Sequence, residues 1–191
     1  DQYLQEAKEK QVPLIRFQYE NENDMFDAHS YAKGGRILHL LRNEIGDEAF
    51  FMSMQIYLNR HAYQSTEIED FRRVVEEVTG QDMRLFFNQW FFGKGHVQLV
   101  AKHEKIDNQL VVTLHQEMDS LNPVVFRIPV SIAWEENGVW KKTVVRLQDS
   151  THVVQIPVIN MPKSVLIDPQ HILVGTINHE KKKEEWQYDL L

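Results

Sequence analysis

The sequence has 191 residues, of which 42% are hydrophobic, and this allows one large domain or two small ones with ordinary hydrophobic cores. Its formal net charge of −7 disfavours a generic nucleic-acid surface, because affinity for phosphate comes from clustered Lys and Arg side chains. The absence of cysteine excludes disulfides and thiolate zinc sites, and no apolar run approaches the roughly 18 residues of a membrane span.

The first predicted element is a short amphipathic helix within residues 1–10, with Tyr3, Leu4 and Ala7 on its apolar side. Pro13 ends this pattern, and loose alternation predicts an extended segment afterwards.

A second helix is predicted over residues 28–45, from the helical spacing of its apolar residues. These are Ala28, Tyr31, Ala32, Ile37, Leu38, Leu41 and Ile45. Two consecutive glycines, Gly34 and Gly35, lie inside it and each costs about 1 kcal/mol relative to alanine. Such a pair indicates a close approach to the helix backbone or a bend. Gly46 is a natural C-cap for this helix.

Three further helices are predicted before residue 93. One covers Asp47–Asn59, the next starts at a capping box with Thr66 as N-cap and Glu69 at N3, and the last is capped by Asp82. Their apolar faces contain Phe50, Met54, Tyr57 and Leu58, then Phe71, Val74, Val75 and Val78, then Leu85, Phe86, Trp90 and Phe91.

After Gly93-Lys94-Gly95 the apolar period changes from 3.6 to 2, which predicts strands. The predicted strands are Val97–Lys102, Leu110–His115, Phe126–Trp134, Val139–Leu147, Val153–Pro157, Ser164–Ile167 and Ile172–Ile177. Asn137-Gly138 predicts a tight hairpin, and Pro129 and Pro157 are expected at edges or bulges. Short strands at this spacing favour a small antiparallel β-sandwich of the immunoglobulin-like kind.

The predicted fold class is therefore α+β with two domains, an all-α helical lobe followed by an antiparallel β-sandwich. We place the lobe at residues 1–94 and the sandwich at residues 95–179. Residues 180–191 have the pattern of a helix that leads to a further domain. Because the chain starts at Asp1 without an initiator Met and stops within this pattern, we expect it to be an internal piece of a longer protein.

The nine histidines do not form a sequence motif for zinc. A His-Glu-x-x-His site needs two histidines at i and i+4 on one helix face. His103-Glu104 and His179-Glu180 both lack the second histidine, and no two histidines are three to five residues apart. We therefore expect no zinc held by this chain alone, and surface or packing roles for most of these side chains.

The sequence also lacks the patterns of a nucleophilic or phosphate-binding site. There is no Gly-x-Ser-x-Gly, and His29 and Ser30 are adjacent on a helix, which is poor geometry for a catalytic dyad. Neither glycine cluster follows a strand and opens a helix, as a phosphate loop would.

Tyr31 remains as the candidate catalytic residue, with two interpretations. On residue type alone it is a core tyrosine on the inward helix face, its hydroxyl bonded to a backbone carbonyl. The functional interpretation is a hydrogen-bond donor to an oxyanion.

The chain resembles the M1 family of zinc aminopeptidases, the gluzincins, most densely over residues 27–99. The resemblance is carried by Tyr31-Ala32-Lys33-Gly34, Ile37–Arg42, Ile45–Phe50, Tyr57-Leu58, Asp70-Phe71, Glu76–Asp82, Phe86, Phe87, Trp90 and Gly95. The chain departs from the family pattern at Val97, where a proline is usual before the first sandwich strand.

The resemblance implies that Tyr31 stabilises the tetrahedral intermediate formed when a zinc-bound water attacks the scissile carbonyl. It further implies that the lobe is the C-terminal part of a thermolysin-like catalytic domain, and that the sandwich is a spacer. The family's zinc ligands and general base lie upstream of Tyr31 and are absent from this sequence. The expected partners are the peptide substrates of the parent protein and the remainder of its own chain.

We therefore expect the parent to be a zinc aminopeptidase and the 191-residue piece to be inactive, with no metal or cofactor of its own. One alternative is a non-catalytic relative that serves as a binding or scaffold protein after losing its zinc ligands. Another is that the sandwich is a binding module, which would require clustered surface aromatics. Trp134 and Trp140 are more simply interpreted as core and cover. Substrate preference, oligomeric state and compartment stay open.

Overall fold

A computed structural model describes residues 2–118 and 123–181 of the chain. The chain divides into two compact units, Asp1–Gly95 and His96–Leu191. Helices make up the first unit and strands the second, which confirms the predicted α+β class. No helix in the described part of the chain is long and apolar enough to cross a membrane. The helix predicted beyond residue 181 lies outside the described residues.

The first unit contains five α-helices and three shorter helical turns among its described residues. The helices are α1 (Gln2–Glu6), α2 (Gly34–Ile45), α3 (Asp47–Arg60), α4 (Ile68–Thr79) and α5 (Arg84–Phe87). A 3₁₀ turn covers Glu22–Met25, and two π-helical turns cover His29–Lys33 and Asn88–Phe92. We call the last two the first and the second π-turn.

The core of the helical unit is aromatic where α4, α5 and the second π-turn meet. The Phe71 and Phe87 ring centroids lie 5.9 Å apart, and Phe87 stacks on Phe91 at 4.7 Å with an interplanar angle of 15°. The residues buried around them include Ile37, Leu40 and Leu41 of α2, Phe50 of α3, Val74 and Val75 of α4, and Trp90. Burial of these side chains is the main stabilising term of this unit.

Two details of the helices differ from the sequence prediction. The capping box at α4 uses Glu67 as N-cap and Asp70 at N3, one residue later than predicted, because Asp70 accepts a hydrogen bond from the backbone N–H of Glu67. Leu58 and Leu85, predicted to face inward, are more than half exposed in this unit.

The second unit is a sandwich of two small sheets. Its strands are β1 (Val97–Ile106), β2 (Gln109–Gln116), β3 (Ile128–Glu136), β4 (Val139–Leu147), β5 (Thr151–Pro157), β6 (Val165–Ile167) and β7 (Gly175–Glu180). The strand order is β5-β2-β1-β7 in one sheet and β4-β3-β6 in the other. All pairs are antiparallel except β1 with β7, which is parallel.

Turn and edge chemistry in the sandwich follows the sequence pattern. Asn137 and Gly138 both have positive φ, +56° and +81°, as a two-residue hairpin requires. Pro157 ends the edge strand β5. Pro129 lies in β3, but β6 pairs only with residues 132–134 of that strand, so Pro129 is at a position with a single neighbouring strand.

Candidate functional site

The candidate site is built around the first π-turn, where Tyr31 is 64% exposed. The inward, core position that residue type favoured for Tyr31 is therefore wrong. The hydrogen bond expected of a core tyrosine is made instead by Tyr3, whose hydroxyl donates to the carbonyl of Gly95 at 3.0 Å. A π-turn inserts an extra residue into a helix and is frequent at functional sites.

Backbone hydrogen bonds define this turn. The N–H of Lys33 donates to the carbonyl of Ala28 at 2.9 Å, five residues back instead of four. The N–H of Gly34 is shared between the carbonyls of His29 and Tyr31. Helix α2 then starts at Gly34 as a regular α-helix, so the irregular turn has a rigid element on its C-terminal side.

Two polar side chains lie on the buried side of the turn, opposite Tyr31. His29 is fully buried and Lys33 is only 1% exposed. The Lys33 Nζ lies 5.4 Å from the centroid of the Tyr3 ring, and the His29 ring meets the Tyr3 ring edge-on at 5.0 Å. Burial lowers the pKa of Lys33 to about 8 and raises the pKa of Tyr3 above its ordinary range. The buried side of the first π-turn therefore packs against Tyr3 of helix α1.

Glu6 of α1 joins that helix to the start of the turn. One carboxylate oxygen accepts the backbone N–H of Ala28 at 2.8 Å, and the other lies 2.9 Å from His29 Nδ1. The second ring nitrogen of His29, Nε2, is buried without a hydrogen-bond partner. Burial lowers the pKa of His29, and this effect outweighs the opposing effect of Glu6.

Asp27 holds the N-terminal side of the turn. Its carboxylate accepts hydrogen bonds from Arg16 and Lys10, each at 2.6 Å, and from the backbone N–H of Ser30 at 2.8 Å. Partial burial acts to raise the pKa of Asp27, but these hydrogen bonds outweigh it and hold the pKa well below its usual value. The Ser30 hydroxyl accepts from Arg16 at 2.8 Å. Ser30 is therefore part of an ion-pair network with Arg16 and Asp27, whereas His29 Nδ1 contacts Glu6.

The described residues contain one grouping with three potential metal ligands, Glu6, Asp27 and His29, with ligand atoms within 4.8 Å of one another. A catalytic zinc site needs three protein ligands and an open position. Here Asp27 is neutralised by two cations and Glu6 is occupied by Ala28 and His29. The grouping therefore does not offer zinc three free ligands, and internal hydrogen bonding explains it.

The structure also pairs two histidines that sequence reasoning did not connect. His103 Nδ1 and His179 Nε2 lie 2.9 Å apart, because the parallel pairing of β1 with β7 brings together positions 76 residues apart in sequence. Parallel pairing at that separation leaves no local signal in the sequence.

Trp134 and Trp140 do not form an aromatic binding surface. Trp134 is buried and Trp140 is half exposed. Within residues 96–118 and 123–181, Trp140 is the one large aromatic side chain on the surface. The clustered surface aromatics that a binding module would require are therefore not found in these residues.

Comparison with known proteins relates both units to peptidases. The family model of the Peptidase family M1 domain matches residues 2–90. Aminopeptidase N of Lactococcus lactis subsp. lactis is 35% identical over 95 residues, which are 49% of this chain and 11% of that protein. Aminopeptidase N of Streptomyces lividans is 32% identical over 99 residues, or 50% of this chain and 11% of that protein.

Two further similarities extend into the sandwich. Glutamyl aminopeptidase of Bos taurus is 25% identical over 167 residues, which are 85% of this chain and 17% of that protein. The crystal structure of Legionella pneumophila aminopeptidase A in complex with aspartic acid matches 96% of this chain and 22% of its own, with a TM-score of 0.77 and 15% identity. At that identity the match shows the fold alone. The chain spans between 11% and 17% of the length of these curated relatives.

Proposed function

We propose that this chain is part of an M1-type aminopeptidase that removes N-terminal residues from peptides; the match of residues 2–90 to the Peptidase family M1 domain and the similarity to aminopeptidase N support this proposal. The observation that supports a role for one particular residue is the exposed phenol of Tyr31. It lies on a turn whose opposite side consists of the buried His29 and Lys33. A phenol at neutral pH keeps its proton and can donate one hydrogen bond.

The role we propose for Tyr31 is donation of its O–H to the oxygen of the scissile carbonyl as that carbon becomes tetrahedral. Negative charge develops on this oxygen in the transition state, so the hydrogen bond strengthens as the reaction proceeds and lowers the barrier. One such donor is typically worth about 3 kcal/mol. Peptide substrates and the rest of the longer protein are the partners that this role requires.

Zinc, which supplies the Lewis acid and the activated water in such peptidases, would be bound by residues outside this chain. In the grouping of Glu6, Asp27 and His29, both carboxylates are already engaged by other groups, and two cations compete for Asp27. We accordingly propose that the 191-residue chain has no peptidase activity by itself. The measurements are metal analysis of the purified chain and hydrolysis of an aminoacyl anilide; stoichiometric zinc or measurable turnover would contradict this part of the proposal.

The experiment on Tyr31 uses the longer protein. Tyr31→Phe removes only the hydroxyl, and we expect kcat to fall by about 10² or more with KM and zinc content unchanged. The matched control is Tyr63→Phe, since Tyr63 is fully exposed in the same unit and should have no effect. An unchanged kcat in Tyr31→Phe would refute the assigned role. A longer protein with no turnover at all would favour the non-catalytic alternative.

A further inference from the structure

We propose that Lys33 is a positioning residue, whose buried side chain holds the first π-turn in the form that points the Tyr31 phenol outward. This inference rests on the proposed role of Tyr31, because positioning has a catalytic consequence only if that phenol acts on the substrate.

The geometry gives Lys33 a direct hold on the turn. Residues 29 and 33 point inward and residue 31 points outward, so the side chain of Lys33 fixes the face opposite Tyr31. Lys33 packs over the ring of Tyr3, and Tyr3 is itself fixed by its hydrogen bond to Gly95. The contact therefore joins the turn to a side chain that has little freedom to move.

The burial of Lys33 is not explained by an ion pair. The two carboxylates that contact this turn are used elsewhere, Glu6 by Ala28 and His29, and Asp27 by Arg16 and Lys10. Among the described residues no salt bridge is formed by Lys33. A buried ammonium without a carboxylate is unfavourable, as its lowered pKa also indicates, and an apolar side chain of equal length would fill the space at less cost. Features that cost stability, as this buried ammonium does, are expected most often at functional sites.

A change at Lys33 reaches Tyr31 through the backbone. The five-residue hydrogen bond from Lys33 to Ala28 competes with the four-residue bond of an α-helix. Conversion of the π-turn to an α-turn shifts the register by one residue, and each residue of an α-helix turns by about 100°. Such a shift would turn the Tyr31 phenol away from its position. Catalysis is sensitive to misplacement of about 1 Å.

The first experiment tests the positioning in the 191-residue chain, without any catalytic assay. Its six tyrosines are replaced by 3-fluorotyrosine, and the ¹⁹F signals are assigned by single Tyr→Phe variants. In Lys33→Met we expect the Tyr31 signal to shift or broaden while the signal of Tyr63 stays unchanged. The control Lys8→Met removes an exposed lysine of the same unit and should move neither signal. An unmoved Tyr31 signal would overturn the proposal; Lys33→Ala provides the same test if Lys33→Met does not fold.

The second experiment is a double-mutant cycle in the longer protein. We expect Lys33→Met to lower kcat about tenfold with KM within twofold, and to have no further effect when Tyr31 is already Phe. Equal losses in both backgrounds would mean that Lys33 does not act through Tyr31, and would overturn the proposal. If Tyr31→Phe alone leaves kcat unchanged, the proposed function fails, whereas the fluorine signals still decide whether Lys33 positions Tyr31.

Discussion

The helical unit contains two π-turns with the same backbone irregularity and opposite chemistry. The first, His29–Lys33, buries an imidazole and an ammonium and leaves its tyrosine exposed. The second, Asn88–Phe92, buries Trp90 and Phe91, and Phe91 stacks on Phe87 of α5 at 4.7 Å. Both turns have their buried side against the interior of the same unit, so the difference lies in what each side chain contributes there.

Burial of side chains therefore stabilises the fold at the second π-turn and destabilises it at the first. Burial of an aromatic side chain contributes about 2 to 3 kcal/mol from its apolar area, and stacking adds to it. Burial of Lys33 and of the unpartnered Nε2 atom of His29 has the opposite sign, because both lose hydration. A backbone irregularity is therefore a weak indicator of function by itself. The chemistry of its buried side carries the information.

The largest expected effect is in the aromatic core against which the second π-turn packs. Phe87→Ala removes a fully buried ring that contacts both Phe71 and Phe91, and we expect a loss of about 4 kcal/mol in the free energy of unfolding. Urea denaturation of the 191-residue chain measures it. The control is Leu85→Ala on the same short helix, where the exposed side chain should change stability by less than about 1 kcal/mol. Equal losses in the two variants would contradict the account of this core.

The next effect is at Lys33 in the first π-turn, where we expect a substitution to increase the free energy of unfolding. The folded chain lowers the pKa of Lys33 from 10.5 to about 8, a difference worth about 3 kcal/mol at a pH below both values. Below pH 8 the lysine is charged in both states and the folded state bears the full cost of desolvation. Between pH 8 and pH 10.5 the folded state releases the proton first, so the cost declines, and above 10.5 it is absent.

We therefore expect Lys33→Met to be more stable than the parent sequence by about 3 kcal/mol at pH 7, with the gain disappearing as the pH rises from 8 to 10.5. Urea denaturation at several pH values measures this, with Lys8→Met as the control that should stay within about 0.5 kcal/mol throughout. A destabilised Lys33→Met at pH 7 would mean that the ammonium has a stabilising role, and the contrast between the turns would not hold.

Much of the fold was accessible from the sequence because its signals are local. The change from a 3.6 to a 2 period placed the break near Gly93-Lys94-Gly95, and Asn137-Gly138 specified a hairpin. All seven strands were predicted within a few residues of their ends. The parallel pairing of β1 with β7 was not predicted, since Val97 and Gly175 are far apart in sequence and no turn joins their strands.

The candidate site was accessible only in part. Tyr31 was proposed as a site residue from family resemblance, but a 3.6-residue template placed it on the inward face. An inserted residue changes which side chains face the core. The Gly34-Gly35 pair indicated a bend or a close approach, but not an inserted residue just before it. The buried position of Lys33 and the contact of Glu6 with His29 depend on α1 packing against the turn, which a local pattern does not contain.

The smallest expected effects come from the glycines that end the two turns. A Cβ added at Gly93 would overlap the carbonyl of Gln89, so we expect Gly93→Ala to cost about 2 kcal/mol. A Cβ added at Gly34 would meet Leu14 at 3.5 Å, an ordinary contact in a helical backbone, so Gly34→Ala should gain about 0.5 kcal/mol from helix propensity. Urea denaturation of both variants decides the matter, and a loss at Gly34 as large as that at Gly93 would show that the first π-turn is as tightly packed as the second. In the first π-turn, stability then tolerates a change of Gly34 and responds to a change of the buried Lys33. In the second π-turn, stability depends both on the aromatic rings and on Gly93.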